Sequence, residues 1–456
     1  MLPADAVMPP LGAASAMAPR PGLLLVTFVL LTVPLLMPAQ ESGARATAFA
    51  LGDRAGVAFQ GGLAEMDPGV LSGPRPTTVY VADGAEPTIL VDKLGRGMLI
   101  GDERGVLRST NGGQTWVRVF IPWIPGNVFG SGIFDGWALA QDDAGTIYAS
   151  TTNGAIINVA RSQDGGATWQ LTASTFVVEG SPRIADRPWL VARGNGQVAM
   201  TWNDGGWEQR CAYSTDGGLT FPTRSVPVLA AAEPIGGIPA FMSTGHLVFA
   251  GNGGIGGAAD TLYRYSAPCA NAPLALAIPP HGDQLMTAVA TDADRGIYLA
   301  TPRPGNGAMQ LIGFNGFTLN GHKILEVSPP ALQGNTYGTV ATRPGEIAVA
   351  WYGTTTAGNF QNPGFAGQWH VYVARVTDFW SASPSVHLTQ VTTVPNHVGD
   401  FCMQGTRCDV GGNGDRDLLD YFQITYDAAG DLHVAYGHDG ATSIAQVHYA
   451  RLPALP

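Results

Sequence analysis

The segment "RSQDGGATW" (Arg161 to Trp169) occurs three times in this chain with small changes. It returns as "YSTDGGLTF" (Tyr213 to Phe221) and, with Asn in place of Asp, as "RSTNGGQTW" (Arg108 to Trp116). The three serines stand at positions 109, 162 and 214, at intervals of 53 and 52 residues. A nearly fixed interval of this length indicates a structural unit that is repeated about every 50 residues.

The same period appears in short apolar segments that glycines introduce, such as "GTIYAS" and "GHLVFAG". These segments begin at Gly97, Gly145, Gly196, Gly245, Gly296, Gly345 and Gly430. The intervals between them are 48, 51, 49, 51, 49 and 85 residues. Seven units are therefore predicted, with an insertion of about 35 residues before the last one.

Each unit is predicted to contain four short antiparallel strands. Only 13% of the 456 residues are charged, while Gly (61) and Pro (33) are abundant and separate short runs rich in Val, Thr and Tyr. Four-stranded units repeated around an axis form a β-propeller, which leaves few exposed sheet edges. We therefore predict an all-β fold, a β-propeller of seven blades, or of six if one weak repeat is not a blade.

The last unit supplies only three strands and ends at "SIAQVHYARL". The segment "TTVYVAD" (Thr77 to Asp83) precedes the first complete unit and can supply the fourth strand. Pairing of this kind would tie the two ends of the propeller together and close the ring. The predicted propeller covers residues 77–453.

The residue types of the octet suit a tight turn between strands three and four of a blade. The Asp or Asn side chain can accept backbone N–H bonds, and the paired glycines permit positive φ angles. The octet resembles the Asp-box, or BNR repeat, of the sialidase superfamily. This resemblance implies a sialidase-like propeller in which the octets are structural and lie on the face opposite the functional loops.

The N-terminal region contains the apolar segment Gly22 to Met37, preceded by Arg20. About fifteen apolar residues suit a secretory signal peptide, and an uncleaved membrane tether through residues 22–37 is the alternative. We assign residues 1–48 to this leader and 49–76 to a linker, and expect a secreted or cell-surface protein. In such a compartment disulfides persist. We expect Cys402 to pair with Cys408, while a Cys211–Cys269 bridge is left open by the sequence.

The net charge of the chain indicates which classes of partner it can bind. The net charge is −11, and no basic stripe exists that could displace counterions from nucleic acid. We expect a monomer whose ligand is a carbohydrate or glycoprotein, either neutral, or anionic and held by a few local arginines. No metal-binding histidine motif is present. A weak Ca²⁺ pattern occurs at Asn413, Asp415 and Asp417, without the Gly and Glu that complete a calcium loop.

Long segments on one rim suggest where function resides. Gly353–Gln368 and Thr392–Leu419 are predicted to be loops opposite the octets, and long loops on a rigid scaffold commonly carry function. Two polar clusters begin blades nearby, "RIADRPWL" and "GDRDLLDYF". The candidate catalytic residues there are Asp186, Asp420 and Tyr421. The candidate ligand-binding residues are Arg183, Arg187 and Arg416, with Trp207, Arg210, Trp351 and Tyr352 on the same rim.

The residue types have a chemical rationale. An arginine fork binds a carboxylate in two places, and a poorly solvated Asp can act as a general acid. Tyr421 beside carboxylates is a possible nucleophile, a variant that the sialidase resemblance implies. The alternatives are that the Asp–Arg pairs tie blades together and that Trp351 and Tyr352 pack between blades.

The resemblance to sialidases is incomplete in its motifs. The Arg-Ile-Pro segment of that family is not found, and the closest tripeptide is Arg183-Ile184-Ala185 in the third unit. Seven units also exceed the six blades usual in sialidases. Two hypotheses follow, namely a sialidase-type glycoside hydrolase acting on anionic glycans, and a non-catalytic propeller that binds a glycan or protein. The first requires Asp186, Arg187, Arg416 and Tyr421 to converge on one cavity.

Overall fold

The computed structural model describes most of the chain from residue 76 onward. The described residues are 76–123, 136–152, 156–174, 185–204, 208–224, 229–230, 235–252, 261–282, 284–294, 296–305, 307–316, 321–403, 408, 415–418, 420–439 and 445–456. The leader, residues 1–48, and the linker up to residue 75 lie outside them, so both remain predictions. Among the described residues, no helix has the length and apolar character needed to cross a membrane.

The described residues form seven small antiparallel sheets arranged as the seven blades of a β-propeller. Within blades one to six the strands follow each other in chain order from the innermost outward, and blade seven takes its outermost strand from the start of the propeller. Blades one to three comprise β2 (Thr88–Val91), β3 (Met98–Asp102), β4 (Gly105–Ser109) and β5 (Val117–Val119); β6 (Ala138–Gln141), β7 (Ile147–Thr152), β8 (Ile157–Ser162) and β9 (Gln170–Ser174); and β10 (Ala185–Arg193), β11 (Gln197–Asp204), β12 (Glu208–Ser214), β13 (Thr223–Arg224) and β14 (Leu229–Ala230).

The remaining blades repeat the arrangement with local additions. Blade four begins with two short strands, and blade six carries one additional strand. Blades four to seven comprise β15 (Ile235–Gly236), β16 (Ala240–Phe241), β17 (Leu247–Asn252), β18 (Thr261–Tyr265) and β19 (Leu274–Ala277); β20 (Val289–Thr291), β21 (Gly296–Pro302), β22 (Met309–Asn315) and β23 (His322–Glu326); β24 (Gly334–Arg343), β25 (Glu346–Thr354), β26 (Gly367–Thr377), β27 (Ser385–Gln390) and β28 (His397–Gly399); and β29 (Gln423–Tyr426), β30 (Leu432–His438), β31 (Gln446–Leu452) and β1 (Thr78–Asp83).

The ring closes through the strand that precedes blade one. β1 pairs antiparallel with β31, from Thr78 opposite Ala450 to Asp83 opposite Gln446, and becomes the outermost strand of blade seven. The prediction that "TTVYVAD" completes the last unit is thus confirmed. Because the first and last segments share one sheet, blades one and seven are held side by side.

The interior lies between neighbouring blades. One cluster joins Leu99 of blade one to Ile147 and Ala160 of blade two, all fully buried. β25 is buried at every one of its 9 positions, because both faces of an inner strand are covered by adjacent blades. Continuous apolar runs, rather than alternating ones, are what burial on both faces requires.

The octet turns are closed by their own side chains. Ser162 Oγ donates to Asp164 Oδ1 (2.8 Å) and accepts a hydrogen bond from the Gly166 amide (2.8 Å). Asp164 also accepts hydrogen bonds from the amide and hydroxyl of Thr168. Burial acts to raise the pKa of Asp164, but these hydrogen bonds outweigh it and hold the pKa at about 2.

Each octet turn packs on the blade that precedes it around the ring. A Cβ added to Gly113 would lie 2.2 Å from Tyr449 of blade seven, and one added to Gly166 would lie 2.6 Å from Leu99 of blade one. In the first two octets the second glycine is therefore required both by its positive φ and by a close contact between blades. The octet both turns the chain and joins adjacent blades.

Blade four has a disulfide at the corresponding turn. Cys269 follows β18 with a φ of 58° and is bonded to Cys211 in β12 of blade three, with a Cα–Cα distance of 5.4 Å. The second disulfide, Cys402–Cys408, was expected from the sequence. The first was left open there, because two cysteines in separate blades leave no local spacing signal.

One glycine from each of the first two octets, Gly112 and Gly166, offers a matched pair of substitutions. Gly166 has a φ of 81°, and Gly166→Ala introduces a Cβ that collides with Leu99. We therefore expect the unfolding free energy to decrease by about 3 kcal/mol. Gly112 has a φ of 70° but no atom within 4 Å of an added Cβ, so Gly112→Ala is expected to cost only about 1 kcal/mol. Urea unfolding measures both. Equal losses would contradict the packing role of the second glycine.

The two disulfides are expected to contribute unequally. Cys211 and Cys269 are 58 residues apart and Cys402 and Cys408 only 6. The loop-closure model gives a stabilisation of about 4 kcal/mol for the long loop and about 2 kcal/mol for the short one. Thermal unfolding of Cys211→Ala/Cys269→Ala and Cys402→Ala/Cys408→Ala tests this. We expect the larger decrease in Tm for Cys211→Ala/Cys269→Ala, which removes the disulfide between blades. A larger decrease for the other variant would contradict this expectation.

Candidate functional site

Three residues at the entrances of innermost strands have unusual backbone angles. Glu86, Arg187 and Tyr337 have φ values of 54°, 54° and 53°, in the left-handed region that non-glycine residues rarely occupy. At Arg187 and Tyr337 the strand register shifts, so β10 and β24 each contain a bulge there. Bulges of this kind redirect side chains and are frequent beside functional sites.

An ion cluster joins blades one, three and seven at these entrances. Arg187 donates hydrogen bonds to Glu86 and, at 2.6 Å, to Asp420 Oδ2. Arg416 donates from Nε to Asp420 Oδ1 (3.2 Å) and from Nη2 to Oδ2 (2.7 Å). We call Glu86, Arg187, Arg416 and Asp420 the channel cluster. Glu86, Arg187 and Asp420 are buried, with exposed fractions of 2%, 8% and 4%.

Aromatic rings pack against the channel cluster. The Tyr421 ring lies edge-on to Trp189 at a centroid distance of 4.7 Å, and the Arg187 guanidinium is 5.5 Å from the centroid of Tyr421. A Cβ added to Gly136 would lie 2.2 Å from Tyr421 Oη and 3.4 Å from the Glu86 carbonyl oxygen. The Tyr421 hydroxyl and Glu86 therefore border one small space, which exists because residue 136 is a glycine.

The channel cluster contains two guanidinium groups and two carboxyl groups, so its charges cancel when both carboxyl groups are ionised. Burial raises the pKa of Glu86 to about 7, and Asp420 adds to this increase, while the ion pair with Arg187 opposes it. A buried carboxyl group that titrates near neutrality is a candidate for proton transfer. Burial also raises the pKa of the Tyr337 phenol well above its usual value.

A cavity occupies the central channel beside the innermost strands. Its volume is about 200 Å³. The polar side chains in its lining include Gln141, Thr339 and Gln423. A smaller cavity of about 10 Å³ is lined in part by Tyr337, Asp420 and Tyr421. The channel cluster and its aromatic neighbours thus leave little open volume at the strand entrances.

Most of the residues proposed as the catalytic centre from the sequence come together. Arg187, Arg416 and Asp420 share one ion cluster, and Tyr421 contacts it through its ring. Asp186 Oδ1 is 3.6 Å from Arg187 Nε, and the Asp186 side chain is 49% exposed. Asp186 therefore lies at the accessible edge of a group that is otherwise buried.

The proposed aromatic platform needs correction. Trp351 is fully buried and donates a hydrogen bond to Asn335 Oδ1 (2.8 Å). Tyr352 is 1% exposed and accepts a hydrogen bond from the Gly437 amide. Neither ring can stack on a sugar, because strand β25 is covered on both faces. The alternative considered from the sequence, packing between blades, describes both residues.

The remaining residues proposed from the sequence divide into two groups. The Arg210 guanidinium is paired with Asp204 at 2.5 Å within blade three. Arg183, Trp207 and Asn413 lie outside the described residues, so their proposed roles stay predictions. Asp415 and Asp417 are neighbours in space, since the Asp417 amide donates to Asp415 Oδ1 (2.8 Å). The side chains of His397 and Asp439 lie close to Asp415.

Sequence reasoning missed Glu86 and Tyr337. Neither belongs to a charged run or a recognisable motif. The signal that could have found them is the phase of the repeat, because positions 86, 187 and 337 are separated by whole multiples of about fifty residues. Residues in equal phase occupy equal places in successive blades, and here that place is the entrance of the channel.

The raised pKa of Glu86 predicts a pH effect on stability. A carboxyl group with a higher pKa in the folded state stabilises the fold below its unfolded pKa, and this contribution is lost as pH rises through the folded value. We expect the unfolding free energy to decrease between about pH 4.5 and pH 7, and Glu86→Gln to flatten this dependence. Glu326→Gln, which removes an exposed pair with Arg303, is the control. An unchanged pH profile in Glu86→Gln would contradict the assignment.

Comparisons with known proteins give structural neighbours only. No protein-family model matches the sequence, and no curated protein matches it. The chain is similar to a protein of unknown function from Dyadobacter fermentans, with 15% identity and a TM-score of 0.42 over 70% of this chain and 99% of that one.

Two enzymes of known activity are also similar in structure. For Trypanosoma rangeli sialidase the identity is 14% and the TM-score 0.41, over 73% of this chain and 57% of that one. For the GH93 alpha-L-arabinofuranosidase of Fusarium graminearum the identity is 14% and the TM-score 0.40, over 61% of this chain and 93% of that one. This chain thus spans little more than half the length of the trypanosomal sialidase. Because propellers host many unrelated functions, activity has to be argued from the residues of this chain.

Proposed function

We propose that the chain is an exported glycoside hydrolase of sialidase type that acts on anionic glycans at the channel cluster. The observation that carries the proposal is the convergence of Arg187, Arg416, Asp420 and Tyr421 at one entrance of the channel, from segments more than two hundred residues apart. Two arginine forks beside a tyrosine and several carboxyl groups suit the carboxylate and the glycosidic bond of an acidic sugar.

Each group has a role in this reaction. Asp186 is half-exposed in the free chain, so it becomes the poorly solvated acid that this role needs only when a bound glycan covers it. It then donates a proton to the leaving oxygen as the glycosidic bond breaks. Tyr421 Oη attacks the anomeric carbon and forms a glycosyl–enzyme bond, which water then hydrolyses. The phenol must lose its proton to attack, and the Asp420 carboxylate, which lines the same small cavity as Tyr421, is the proposed acceptor of that proton. When water attacks, it passes one proton to the Asp186 carboxylate, and the Tyr421 oxygen leaves the anomeric carbon and recovers its proton from Asp420.

The ion pairs within the cluster set a condition for binding. Both guanidinium groups already donate to carboxylates of the chain, so a sugar carboxylate has to replace one of these partners. Protonation of Glu86 removes the negative charge opposite Arg187 and makes that replacement easier. Because burial raises the pKa of Glu86 to about 7, we expect the binding of an anionic sugar to strengthen as pH falls below 7.

A second candidate function is a non-catalytic propeller that binds a glycan or a protein. The observation that favours it is burial, since Tyr421 is only 6% exposed and Arg187 only 8%. In this case the channel cluster holds blades one, three and seven together, and ligands bind at the rim. Both candidates agree with export, because two disulfides are typical of an oxidising compartment.

Turnover of a fluorogenic α-sialoside distinguishes the two candidates. The hydrolase proposal predicts turnover by the wild-type chain and a loss of at least about 100-fold in kcat for Tyr421→Phe, because no hydroxyl remains to attack. Tyr148→Phe is the matched control, since it removes another buried phenol that donates to Asp142 in blade two. We expect this control to retain wild-type kcat.

The same assay can reject the proposal. A folded wild-type chain that does not turn over the sialoside between pH 4.5 and 8 would exclude this activity on that substrate. Turnover that survives in Tyr421→Phe would exclude Tyr421 as nucleophile. Binding of an α-methyl sialoside without turnover would instead support the non-catalytic candidate.

A further inference from the structure

Three segments outside the channel cluster bring ligating side chains together. His397 lies in β28 beside blade six, Asp415 lies before blade seven, and Asp439 follows β30 of blade seven. One donor atom from each residue lies within 4.8 Å of the donor atoms of the other two. We call these residues the His397 site. His397 and Asp439 are buried, with exposed fractions of 0% and 4%.

The backbone around the His397 site is held in place by further contacts. The Asp415 amide donates to Asp400 Oδ2 (2.8 Å), and the Asp439 amide donates to the Asn396 carbonyl (3.0 Å). The Cys402 amide donates to the Asp415 carbonyl (2.8 Å), which joins the site to the Cys402–Cys408 disulfide. The three ligating residues are therefore carried by segments with defined positions, rather than by isolated surface side chains.

The imidazole of His397 faces oxygen atoms on both sides. Its Nδ1 contacts the Asp439 carboxylate, and its Nε2 is 3.0 Å from the Asp400 carbonyl oxygen. A neutral imidazole has one N–H donor and cannot satisfy two oxygen acceptors. Either a second proton or a cation on one nitrogen is required.

The carboxylates around His397 provide surroundings that suit a divalent cation. Asp400, Asp415 and Asp417 lie in the same region as the Asp439 carboxylate. Within the described part of the chain, no lysine or arginine forms an ion pair with Asp400, Asp415 or Asp417. A divalent cation placed among these carboxylates would offset part of their negative charge.

We propose that His397, Asp415 and Asp439 bind a divalent transition-metal ion. One imidazole and two carboxylates suit Zn²⁺ or Mn²⁺ better than Ca²⁺, which prefers an all-oxygen set of six to eight ligands. This site differs from the calcium pattern read from residues 413–417, because two of its three ligands come from other segments. The ion would fix the disulfide-bearing insertion to blade seven, and the inference is independent of hydrolase activity.

The test is titration of the chelator-stripped full chain with ZnCl₂ alone, followed by isothermal calorimetry and thermal unfolding. We expect one equivalent of Zn²⁺ to bind and to raise the Tm, because a ligand of the folded state stabilises it. Asp415→Asn should weaken Zn²⁺ binding at least about tenfold, since it removes a charged ligand. Titration with CaCl₂ should show weaker binding than ZnCl₂.

Asp427→Asn is the matched control, because Asp427 also pairs with a buried histidine, His433, at 3.1 Å. The control should retain the wild-type affinity for Zn²⁺. If Asp415→Asn does not fold, the absorption spectrum of Co²⁺ bound to the wild-type chain, with His397→Gln for comparison, tests the imidazole ligand. The absence of one-equivalent binding, or equal affinities in wild type and a folded Asp415→Asn, would overturn the proposal.

Discussion

The antiparallel pairing of β1 with β31 is the constraint on which the rest of the structure depends. It closes seven blades into a ring and holds the start of blade one against blade seven. Glu86 follows β1 by a few residues, so closure also delivers its carboxyl group to Arg187 and into the same cluster as Asp420. The octet turns of blades one and two add further links between neighbouring blades, because their second glycines allow a close contact with the preceding blade.

The balance of charge in the channel cluster connects stability with the proposed chemistry. A buried ion pair gains little net stability, yet loss of one partner is costly because the other charge remains buried, at about 3–5 kcal/mol. The cluster can therefore hold three blades together and still exchange a carboxylate partner for a ligand of the same charge. In the proposed mechanism the proton on Glu86 controls that exchange and lets an anionic substrate enter a closed cluster.

The repeated features of the fold could be predicted from the sequence, whereas several contacts between residues that are far apart in the chain could not. The seven blades, the closing strand and the octet turns all followed from intervals near fifty residues and from turn chemistry. Arg187 and Asp420 were identified from charged motifs, but Glu86 stands in an unremarkable segment, and His397 and Asp439 have no short spacing to Asp415. Trp351 and Tyr352 were ambiguous because an aromatic pair in a strand looks the same whether it faces solvent or another blade.

The central claim is that an anionic glycan binds at the entrance where blades one, three and seven meet. The most direct measurement is a crystal structure of the chain soaked with an α-methyl sialoside below pH 7. The account predicts that the sugar carboxylate contacts Arg187 or Arg416 and that Tyr421 Oη faces the anomeric carbon. A sialoside bound elsewhere, with the four ion-paired residues unchanged, would contradict it and leave the channel cluster as a purely structural link.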